Sequence, residues 1–513
     1  MNPNLPVWGH FLPKIKKNEL VFNKFSITLT SLSICTEMDW NQALDSAWHR
    51  RSLVGLCNPV SVPKAEGEDH MKEKWFGFCR FVDSLHPVRV VALGYLAYIL
   101  AGWVLLALPF SHATAPVSAL DALFTSASAV STTGLTTVST GNGFSLFGQI
   151  AILVLIQIGG IGYMTFGSFV ALSHRGDLSD RREQIGKVVF SMPGEFRVAK
   201  FIRSVMLFTL LVETAGVGAL FLAFRQAGLE HPLWSAVFHS ISAFCTAGFG
   251  LYDTSFEALR GNVAVNAILG ILSYLGAIGF IVFVDAWRRL IGKTARLTLT
   301  SRIILVTTAW LSLAAIALFF IAEPSIRQLP PYERLTASVF QVMTAITTVG
   351  FNTLPIGQLS QASLFLIIML MVVGASPSGT GGGLKTTTFS ALFGVIRSAL
   401  LGRDKVTFWR KEIPEERVRL AIASLGFYVG SLILGCYLLA LSESLPFEGL
   451  LFEAASALGT VGLSTGITAQ LTPIGKLILV FLMFIGRLGP LTFGVALFFP
   501  SGPSRRGKED LAI

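Results

Sequence analysis

Four short segments of this chain combine threonine and glycine in one pattern, which suits the binding of a dehydrated cation. Each segment has Phe first, Ser or Thr four residues later, Ala five later, Thr eight later and Gly ten later. The segments are FTSASAVSTTGL from Phe124, FHSISAFCTAGF from Phe238, FQVMTAITTVGF from Phe340 and FEAASALGTVGL from Phe452. Glycine permits the backbone angles that turn successive carbonyl oxygens the same way. Four such loops could together replace the water around an alkali-metal ion.

The candidate ion-coordinating residues are the three that end at each glycine. They are Thr132, Thr133, Gly134, Thr246, Ala247, Gly248, Thr348, Val349, Gly350, Thr460, Val461 and Gly462. Their ligands would be main-chain carbonyl oxygens, with threonine hydroxyls as added ligands or anchors. A single such glycine is more simply explained by close packing of membrane helices. Four copies in one register, 114, 102 and 112 residues apart, favour ion binding, while the repeated phenylalanines are expected to be scaffold.

The composition indicates a polytopic membrane protein. Of 513 residues, 52% are hydrophobic and 14% are charged. Eight apolar stretches approach the roughly 20 residues that a helix needs to cross a bilayer. They are 89–110, 146–172, 201–224, 262–287, 303–322, 362–396, 418–441 and 475–500. Five cysteines without a CxxC pair indicate neither a disulfide framework nor a zinc site.

The two ends of the chain lie outside these apolar stretches and are polar. Residues 1–88 are predicted to be a disordered cytoplasmic extension, and 501–513 a cytoplasmic tail too short for a regulatory domain. No secretory signal is evident in the extension. The stretch that Met71 opens reads as a short basic lead into the first helix, so we hypothesise that the natural start is Met71.

Each Thr and Gly segment lies between two apolar stretches, so the chain divides into four repeats, 89–172, 201–287, 303–396 and 418–500. The helix before each glycine is too short to cross the membrane and is predicted to be re-entrant. Irregular backbone at that depth is tolerated where it lines a cavity or is buried in protein. The predicted fold is therefore an all-α membrane protein with eight transmembrane helices, in which four tandem parallel helix, pore-loop, helix repeats surround a pseudo-fourfold pore.

The basic residues give this fold an orientation. The connectors 173–203, 287–302 and 397–419 carry seven, five and seven Lys or Arg, whereas the opposite loops carry between zero and two. By the positive-inside rule, both termini are cytoplasmic and the glycine loops open outward. The net charge of +10 is thereby explained without a nucleic-acid partner.

Two basic residues, Lys385 and Arg487, are not accounted for by the loops and tails. Arg487 is ten residues after Leu477, which is about 15 Å along a helix and hence near the bilayer midplane. It is either a buried arginine paired with carbonyls or a carboxylate, or a positive charge that faces the pore, and the second is favoured. The matching helices read GGIGY from Gly159 and GAIGF from Gly276, so Arg487 replaces a small residue.

The third repeat is predicted to be the one whose second helix is interrupted, by GASPSGTGGGLKTTT at 374–388. Leu384 before Lys385 excludes a nucleotide-binding P-loop. The run is either a passive kink or a flexible loop below the ion site, and its hydroxyls and lysine favour a gate. The predicted gate residues are Gly379, Gly381, Gly382, Gly383, Lys385 and Arg487.

These features resemble the Trk/Ktr/HKT superfamily of potassium transporters, most closely the Ktr-type bacterial membrane subunit. The resemblance covers roughly 85–500 and rests on TTGL, TAGF, TVGFN, TVGL, SPSGTGGGLKTTTF and GRLGPLTFG. It implies a pore of degraded K⁺-channel type, in which glycine in all four loops accompanies K⁺ selectivity and serine in the first accompanies Na⁺. Gly134 therefore implies K⁺. The resemblance also implies that Arg487 is a barrier below the filter and that 374–388 is a gate.

The expected function is K⁺ uptake across the bacterial cytoplasmic membrane. The alternative is a Na⁺-selective or Na⁺/K⁺ symporting member of the same superfamily, and Na⁺ as an activator is left open. The resemblance further implies a homodimer on a cytoplasmic nucleotide-binding, RCK-type regulatory ring. No cofactor of its own is expected, because no Rossmann fingerprint follows a strand pattern. No catalytic constellation is found, so an enzyme is not expected; Glu213 and Glu453 are interpreted as structural carboxylates or groups near the outer mouth, and Asp121 and Asn352 as braces.

Overall fold

The computed structural model describes residues 87–162 and 198–498, apart from residues 114, 293 and 295. Several predictions lie outside these residues: nearly all of the 1–88 extension, the start at Met71, most of connector 173–203, the end of the first repeat and the tail 501–513. Within the described chain the fold is predominantly helical, as predicted.

The described elements are sixteen α-helices, four short 3₁₀ turns and one two-stranded hairpin. The helices are α1 (Pro87–Leu106), α2 (Ala119–Val130), α3 (Thr140–Gly143), α4 (Leu146–Ile161), α5 (Val198–Gln226), α6 (Pro232–Phe244), α7 (Val263–Ala277), α8 (Phe280–Leu290), α9 (Leu299–Ala322), α10 (Pro331–Thr347), α11 (Gln361–Val373), α12 (Thr386–Leu400), α13 (Glu415–Ser442), α14 (Phe447–Gly459), α15 (Pro473–Leu488) and α16 (Pro490–Phe498). The 3₁₀ turns are Pro109–Ser111, Glu257–Leu259, Ile356–Gln358 and Thr468–Gln470. Strand β1 (Thr407–Phe408) pairs with β2 (Lys411–Glu412) in antiparallel register, Thr407 opposite Glu412.

Four helices in the described chain are each long and apolar enough to cross a membrane: α1, α5, α9 and α13. Each begins one of the four predicted repeats. Their faces turned away from the protein carry exposed leucines, isoleucines and a tryptophan, such as Leu210, Trp310 and Ile433. Such a surface fits a hydrocarbon environment rather than water.

The second helix is broken in the second, third and fourth repeats, so the prediction that only the third repeat is interrupted is wrong. Helices α7 and α8 meet at a bend of 92°. The breaks fall at Gly279, Gly374 and Gly489, whose φ angles are 94°, 66° and 85°, and the corresponding helix of the first repeat ends at Gly162, whose φ angle is 88°. Glycine in this positive-φ region ends a helix without the steric penalty that a side chain would meet. The loop in the third repeat is also shorter than predicted, because α12 begins at Thr386; it is loop 374–385 hereafter.

A short helix precedes each Thr and Gly segment. These helices, α2, α6, α10 and α14, have 12, 13, 17 and 13 residues and do not individually reach the length of a membrane span. The repeated phenylalanine of each is buried, with at most 2% of its surface exposed, which agrees with its expected role as scaffold.

Carboxylates at the ends of two long helices fix the start of the next broken helix in the same repeat. Glu323, after α9, accepts hydrogen bonds from the amide and hydroxyl of Ser360, both at 3.0 Å. Glu443, after α13, accepts from the amide of Thr472 at 3.1 Å and from its hydroxyl. Each carboxylate thus braces the N-cap residue of a following helix, α11 or α15.

Polar contacts also join neighbouring repeats on the side of the glycine segments. Asn142 of the first repeat donates to Asp253 of the second at 2.8 Å. Asn352 of the third donates to Glu257 of the second at 2.8 Å. Lys476 of the fourth forms an ion pair with Asp121 of the first at 2.7 Å. The fourth repeat therefore contacts the first. Asp121 and Asn352 brace these loops, as the sequence predicted.

Candidate functional site

The four Thr and Gly segments share one unusual backbone conformation. The threonines Thr132, Thr246, Thr348 and Thr460 have φ angles of 52°, 50°, 60° and 50°. The glycines two residues later, Gly134, Gly248, Gly350 and Gly462, have φ angles of 94°, 67°, 87° and 91°. Left-handed backbone at a non-glycine residue costs roughly 1 to 3 kcal/mol and persists where the surrounding structure enforces it. Its fourfold recurrence marks these segments as a constrained site.

The four segments meet in a closed ring. A Cβ atom added to Gly134 would lie 3.0 Å from the Cα of Gly248 and would strike the carbonyl oxygen of Ala247. A Cβ atom added to Gly248 would likewise strike the third segment, and one added to Gly350 would strike the fourth. A Cβ atom added to Gly462 would strike the first segment, 2.9 Å from the Cα of Gly134. The glycines are needed here because a side chain would enter the neighbouring segment.

Each segment is anchored to its own short helix by an equivalent hydrogen bond. The residue between threonine and glycine donates its amide to a carbonyl five residues earlier: Thr133 to Ser128 at 2.8 Å, Ala247 to Ser242 at 2.8 Å, Val349 to Thr344 at 3.1 Å and Val461 to Ser456 at 2.9 Å. The helix dipoles present partially negative C-terminal ends to these segments. A cation is the ion that such carbonyl-rich ends favour.

Loop 374–385 lies against the threonines of all four segments. The Thr132 hydroxyl donates to the carbonyl oxygen of Thr380 at 3.4 Å, and the Thr246 hydroxyl is 3.0 Å from the Thr380 hydroxyl. A Cβ added to Gly381 would strike the hydroxyl of Thr348. A Cβ added to Gly382 would lie 2.9 Å from Cγ2 of Thr460. The loop therefore covers one side of the ring.

The loop is closed by contacts at its two ends. A Cβ added to Gly374 would lie 2.7 Å from the Cα of Gly383, and Ser376 and Thr386 share a hydroxyl contact of 3.0 Å. Lys385 turns its ammonium back into the loop and donates to the carbonyl oxygen of Gly381 at 2.6 Å. Lysine thus binds a loop carbonyl, and no anionic partner is seen for it among the described residues.

Arg487 joins three repeats at this place. Its guanidinium donates to the carbonyl oxygens of Thr380 and Gly159, and to that of Gly160 at 3.3 Å. In the part of the chain that the structure describes, it forms no ion pair with a carboxylate. The structure thus shows an arginine paired with carbonyls beside loop 374–385, and its orientation toward a pore stays a prediction.

A cavity of about 710 Å³ is lined by residues of loop 374–385 and by none of the ring residues. Its lining includes Gly379, Gly381, Gly383 and Lys385 of the loop, Arg487, and the helix-ending glycines Gly162 and Gly489. All six predicted gate residues therefore contact the ring, the cavity or both. Thr380 and Ser378 were not singled out by the sequence, although hydroxyls in a glycine run at membrane depth were a usable signal.

The two carboxylates that the sequence singled out in this region, Glu213 and Glu453, have hydrogen-bond partners. Glu453 is fully buried and accepts from the hydroxyls of Ser464 at 2.6 Å and Thr468 at 2.8 Å, and from the amide of Thr465 at 3.1 Å. Glu213 accepts from the side-chain amide of Gln157 at 3.0 and 3.1 Å. Glu453 therefore braces the loop after the fourth segment, which agrees with its interpretation as a hydrogen-bonded structural group.

This helical fold, its apolar surface and its ring of carbonyl-bearing segments define a membrane protein of a cation-transporting class. Residues 97–506 match the family model TrkH, cation transport protein. The chain belongs to that family. The predicted superfamily is thereby confirmed, as is the prediction that the chain is a transporter and not an enzyme.

Relatives with assigned names cover most of the chain. It is 36% identical over 432 residues to Ktr system potassium uptake protein B of Bacillus subtilis, covering 82% of this chain and 94% of that protein. It is 33% identical over 419 residues to the potassium/sodium uptake protein NtpJ of Enterococcus hirae, covering 80% and 92%. The crystal structure of the potassium transporter TrkH from Vibrio parahaemolyticus matches with a TM-score of 0.64 at 19% identity, covering 92% and 97%, and thus shares the fold.

Proposed function

We propose that this chain takes up K⁺ through a central pore, with the ring of four segments as its selectivity filter. The ion ligands are the main-chain carbonyl oxygens of 132–134, 246–248, 348–350 and 460–462. The observation that carries the proposal is the cyclic contact of Gly134, Gly248, Gly350 and Gly462. Carbonyl dipoles replace the hydration shell of a K⁺ ion without burying a full negative charge.

The proposed architecture has four parallel repeats around this pore, each crossing the membrane twice. The four long helices supply four crossings, and the second helices supply the other four. The basic connectors give the orientation, with both termini in the cytoplasm and the filter nearer the outside. The cavity below loop 374–385 is then the inner vestibule.

Loop 374–385 and Arg487 form the proposed gate. The loop contacts the threonine of each segment, so an ion leaving the filter inward must displace it. The guanidinium of Arg487 places a positive charge beside the same path. A fixed cation there raises the barrier for K⁺ electrostatically.

Na⁺ has two candidate roles, as a transported ion and as an activator. The relative named as a potassium/sodium uptake protein supports the second candidate, a chain that transports or symports Na⁺ with K⁺. The relatives named as components of a Ktr system support a chain that works with other components. We propose a homodimer that docks on a cytoplasmic nucleotide-binding, RCK-type subunit, with no cofactor in this chain and with Na⁺ as a candidate activator.

Tracer uptake of K⁺ into liposomes that contain this protein tests the function. Competition by Rb⁺ but not by Na⁺ is the expected result, because Rb⁺ is close to K⁺ in size. Uptake of Na⁺ equal to that of K⁺ would replace the first candidate with the second. Absence of K⁺ and Na⁺ uptake, with and without a nucleotide-binding partner subunit, would reject both.

A further inference from the structure

The loop under the ring is fastened to the broken second helix of the neighbouring repeat. Helix α7 ends at Ala277, and two of its last carbonyls accept from the loop. The Ser376 amide donates to Ala277 at 3.0 Å, and the Thr380 amide donates to Gly276 at 3.1 Å. The final carbonyls of a helix have no partner within the helix. The loop therefore supplies hydrogen-bond donors to the last carbonyls of α7.

Ser378 supplies hydrogen-bond acceptors to the first amides of the next helix, α8. Its carbonyl oxygen accepts from the amide of Phe280 at 3.2 Å, and its hydroxyl accepts from the amide of Ile281 at 3.2 Å. The N-cap residue of α8 is Gly279, which has no side chain to perform this function. Ser378 thus acts as an N-cap supplied by another repeat.

Ser378 adopts an unfavourable backbone conformation to make these bonds. Its φ angle is 57°, in the left-handed region. Six of the ten described non-glycine residues with positive φ belong to the ring or to this loop. Strained residues cluster where the surrounding structure enforces a functional geometry.

Helix α8 also contacts the connector toward the third repeat. The carboxylate of Asp285, which is 1% exposed, accepts from the amide of Thr298 at 2.7 Å. Thr298 is the N-cap residue of α9. Arg288 and Arg289 lie in the last turn of α8, within the predicted cytoplasmic connector 287–302. The helix therefore links the loop under the ring to the cytoplasmic side.

We propose that Ser378 is a positioning residue for the gate, which couples loop 374–385 to α8. When α8 keeps its place, the cap holds the loop against the threonine ring. When α8 moves with its connector, the cap is lost and the loop leaves the ring. The proposal rests on the proposed function for its effect on transport, but the coupling itself is a property of the fold.

Hydrogen exchange of the full chain in detergent tests the coupling without any transport assay. Ser378→Gly removes the hydroxyl and suits the positive φ, so it is expected to fold. Exchange at 280–283 and at 375–381 should accelerate together, by about fivefold, which is the effect expected for loss of one intramolecular hydrogen bond. The matched variant Ser378→Asn keeps an acceptor and tolerates the left-handed conformation, so its exchange should stay near that of the unaltered protein. Unchanged protection of 280–283 in Ser378→Gly would overturn the coupling.

Tracer uptake by the same variants then tests the positioning role. Ser378→Gly should raise K⁺ uptake by about fivefold, the effect of one lost hydrogen bond, with the preference for K⁺ over Na⁺ unchanged, and Ser378→Asn should leave uptake unchanged. A purely structural serine would give reduced uptake, which would overturn the role in gating. Uptake equal to the unaltered protein despite faster exchange would also overturn it. If the unaltered protein carries no K⁺, the proposed function fails, while the exchange data still decide whether Ser378 couples the loop to α8.

Discussion

Arg487 donates a hydrogen bond from its guanidinium to the main-chain oxygen of Thr380, which lies in the loop of a different repeat. The same guanidinium binds the carbonyls of Gly159 and Gly160 at the end of α4. One side chain thus holds the first, third and fourth repeats together below the threonine ring. Its charge is matched by carbonyl dipoles, so the contact can be broken without leaving an unpaired carboxylate.

Replacing Arg487 by Gln should increase K⁺ uptake. The variant loses the positive charge and at least one of three hydrogen bonds, and a bond to a charged group contributes about 1.5 to 3 kcal/mol, or roughly tenfold or more in an equilibrium. Arg487→Lys keeps the charge but lacks the planar group that spans several carbonyls, so uptake should be intermediate. Equal or lower uptake in Arg487→Gln, at matched protein content, would argue against a barrier at this position.

Replacing Gly134 by Ala should strongly reduce selective K⁺ uptake. The added methyl group would strike the carbonyl oxygen of Ala247, at a φ of 94° that an L side chain rarely adopts. We expect a loss of about tenfold or more, since strain of this kind costs roughly 1 to 3 kcal/mol. Gly218→Ala is the matched control, because no atom lies within 4 Å of its added Cβ and α5 is a regular helix there. Selective K⁺ uptake by Gly134→Ala equal to that of the Gly218→Ala control would remove the ring from the ion path.

Replacing Gly382 by Ala should push loop 374–385 away from the ring. The added Cβ would lie 2.9 Å from Cγ2 of Thr460 and 3.0 Å from the carbonyl oxygen of Gly459, so the loop must shift. Uptake should rise, in contrast with the loss expected for Gly134→Ala. The control Gly426→Ala adds a methyl group in open space on α13. A decrease in uptake with a normal melting temperature would indicate that the loop supports the open pathway.

The ion pair between Lys476 and Asp121 should make stability depend on pH. Burial raises the pKa of Asp121, but hydrogen bonds from Lys476 and Ser118 outweigh it, and the net pKa lies below its ordinary value of 3.8. A carboxylate whose pKa is lowered by folding stabilises the protein above its ordinary pKa, and this contribution is lost as the pH falls through the lowered value.

Thermal unfolding in detergent measures this effect. Asp121→Asn should melt at a lower temperature than the unaltered protein at pH 6, and the difference should shrink toward pH 3. Lys476→Gln should behave in the same way, and the double variant should lose less than the sum of the two. A difference in melting temperature that is the same at both pH values would show that the pair does not stabilise the closure between the first and fourth repeats.

Repetition explains what could be predicted from the sequence. Gly134 alone could be an ordinary packing glycine, but four copies in register predicted the segments that the structure brings into one ring. The break at Gly279 was missed because Phe280 and Ile281 follow at once, so the hydropathy pattern stays continuous across the bend. The break at Gly489 was missed although Pro490 follows it, and a Gly-Pro pair was a usable signal of a helix break. The apolar run that holds Gly374 ends two residues later at Ser376, and the break in the third repeat was therefore predicted.

Contacts between distant repeats could not be predicted from spacing. The pattern around Ser378 gives no indication that it caps Ile281, because the two residues are far apart in sequence and come together through packing of the second and third repeats. Likewise, the polar environment of Arg487 consists of main-chain carbonyls, which every residue carries and which leave no signature in side-chain types.

The most direct test of the pore is the location of bound Rb⁺. Anomalous diffraction from crystals of the protein grown in Rb⁺ would show where the ion lies relative to the four segments. We expect anomalous density at the centre of the ring formed by Gly134, Gly248, Gly350 and Gly462, within carbonyl-ligand distance of all four segments. Ordered Rb⁺ elsewhere in the membrane region, with none in the ring, would contradict the assignment of these segments as the selectivity filter.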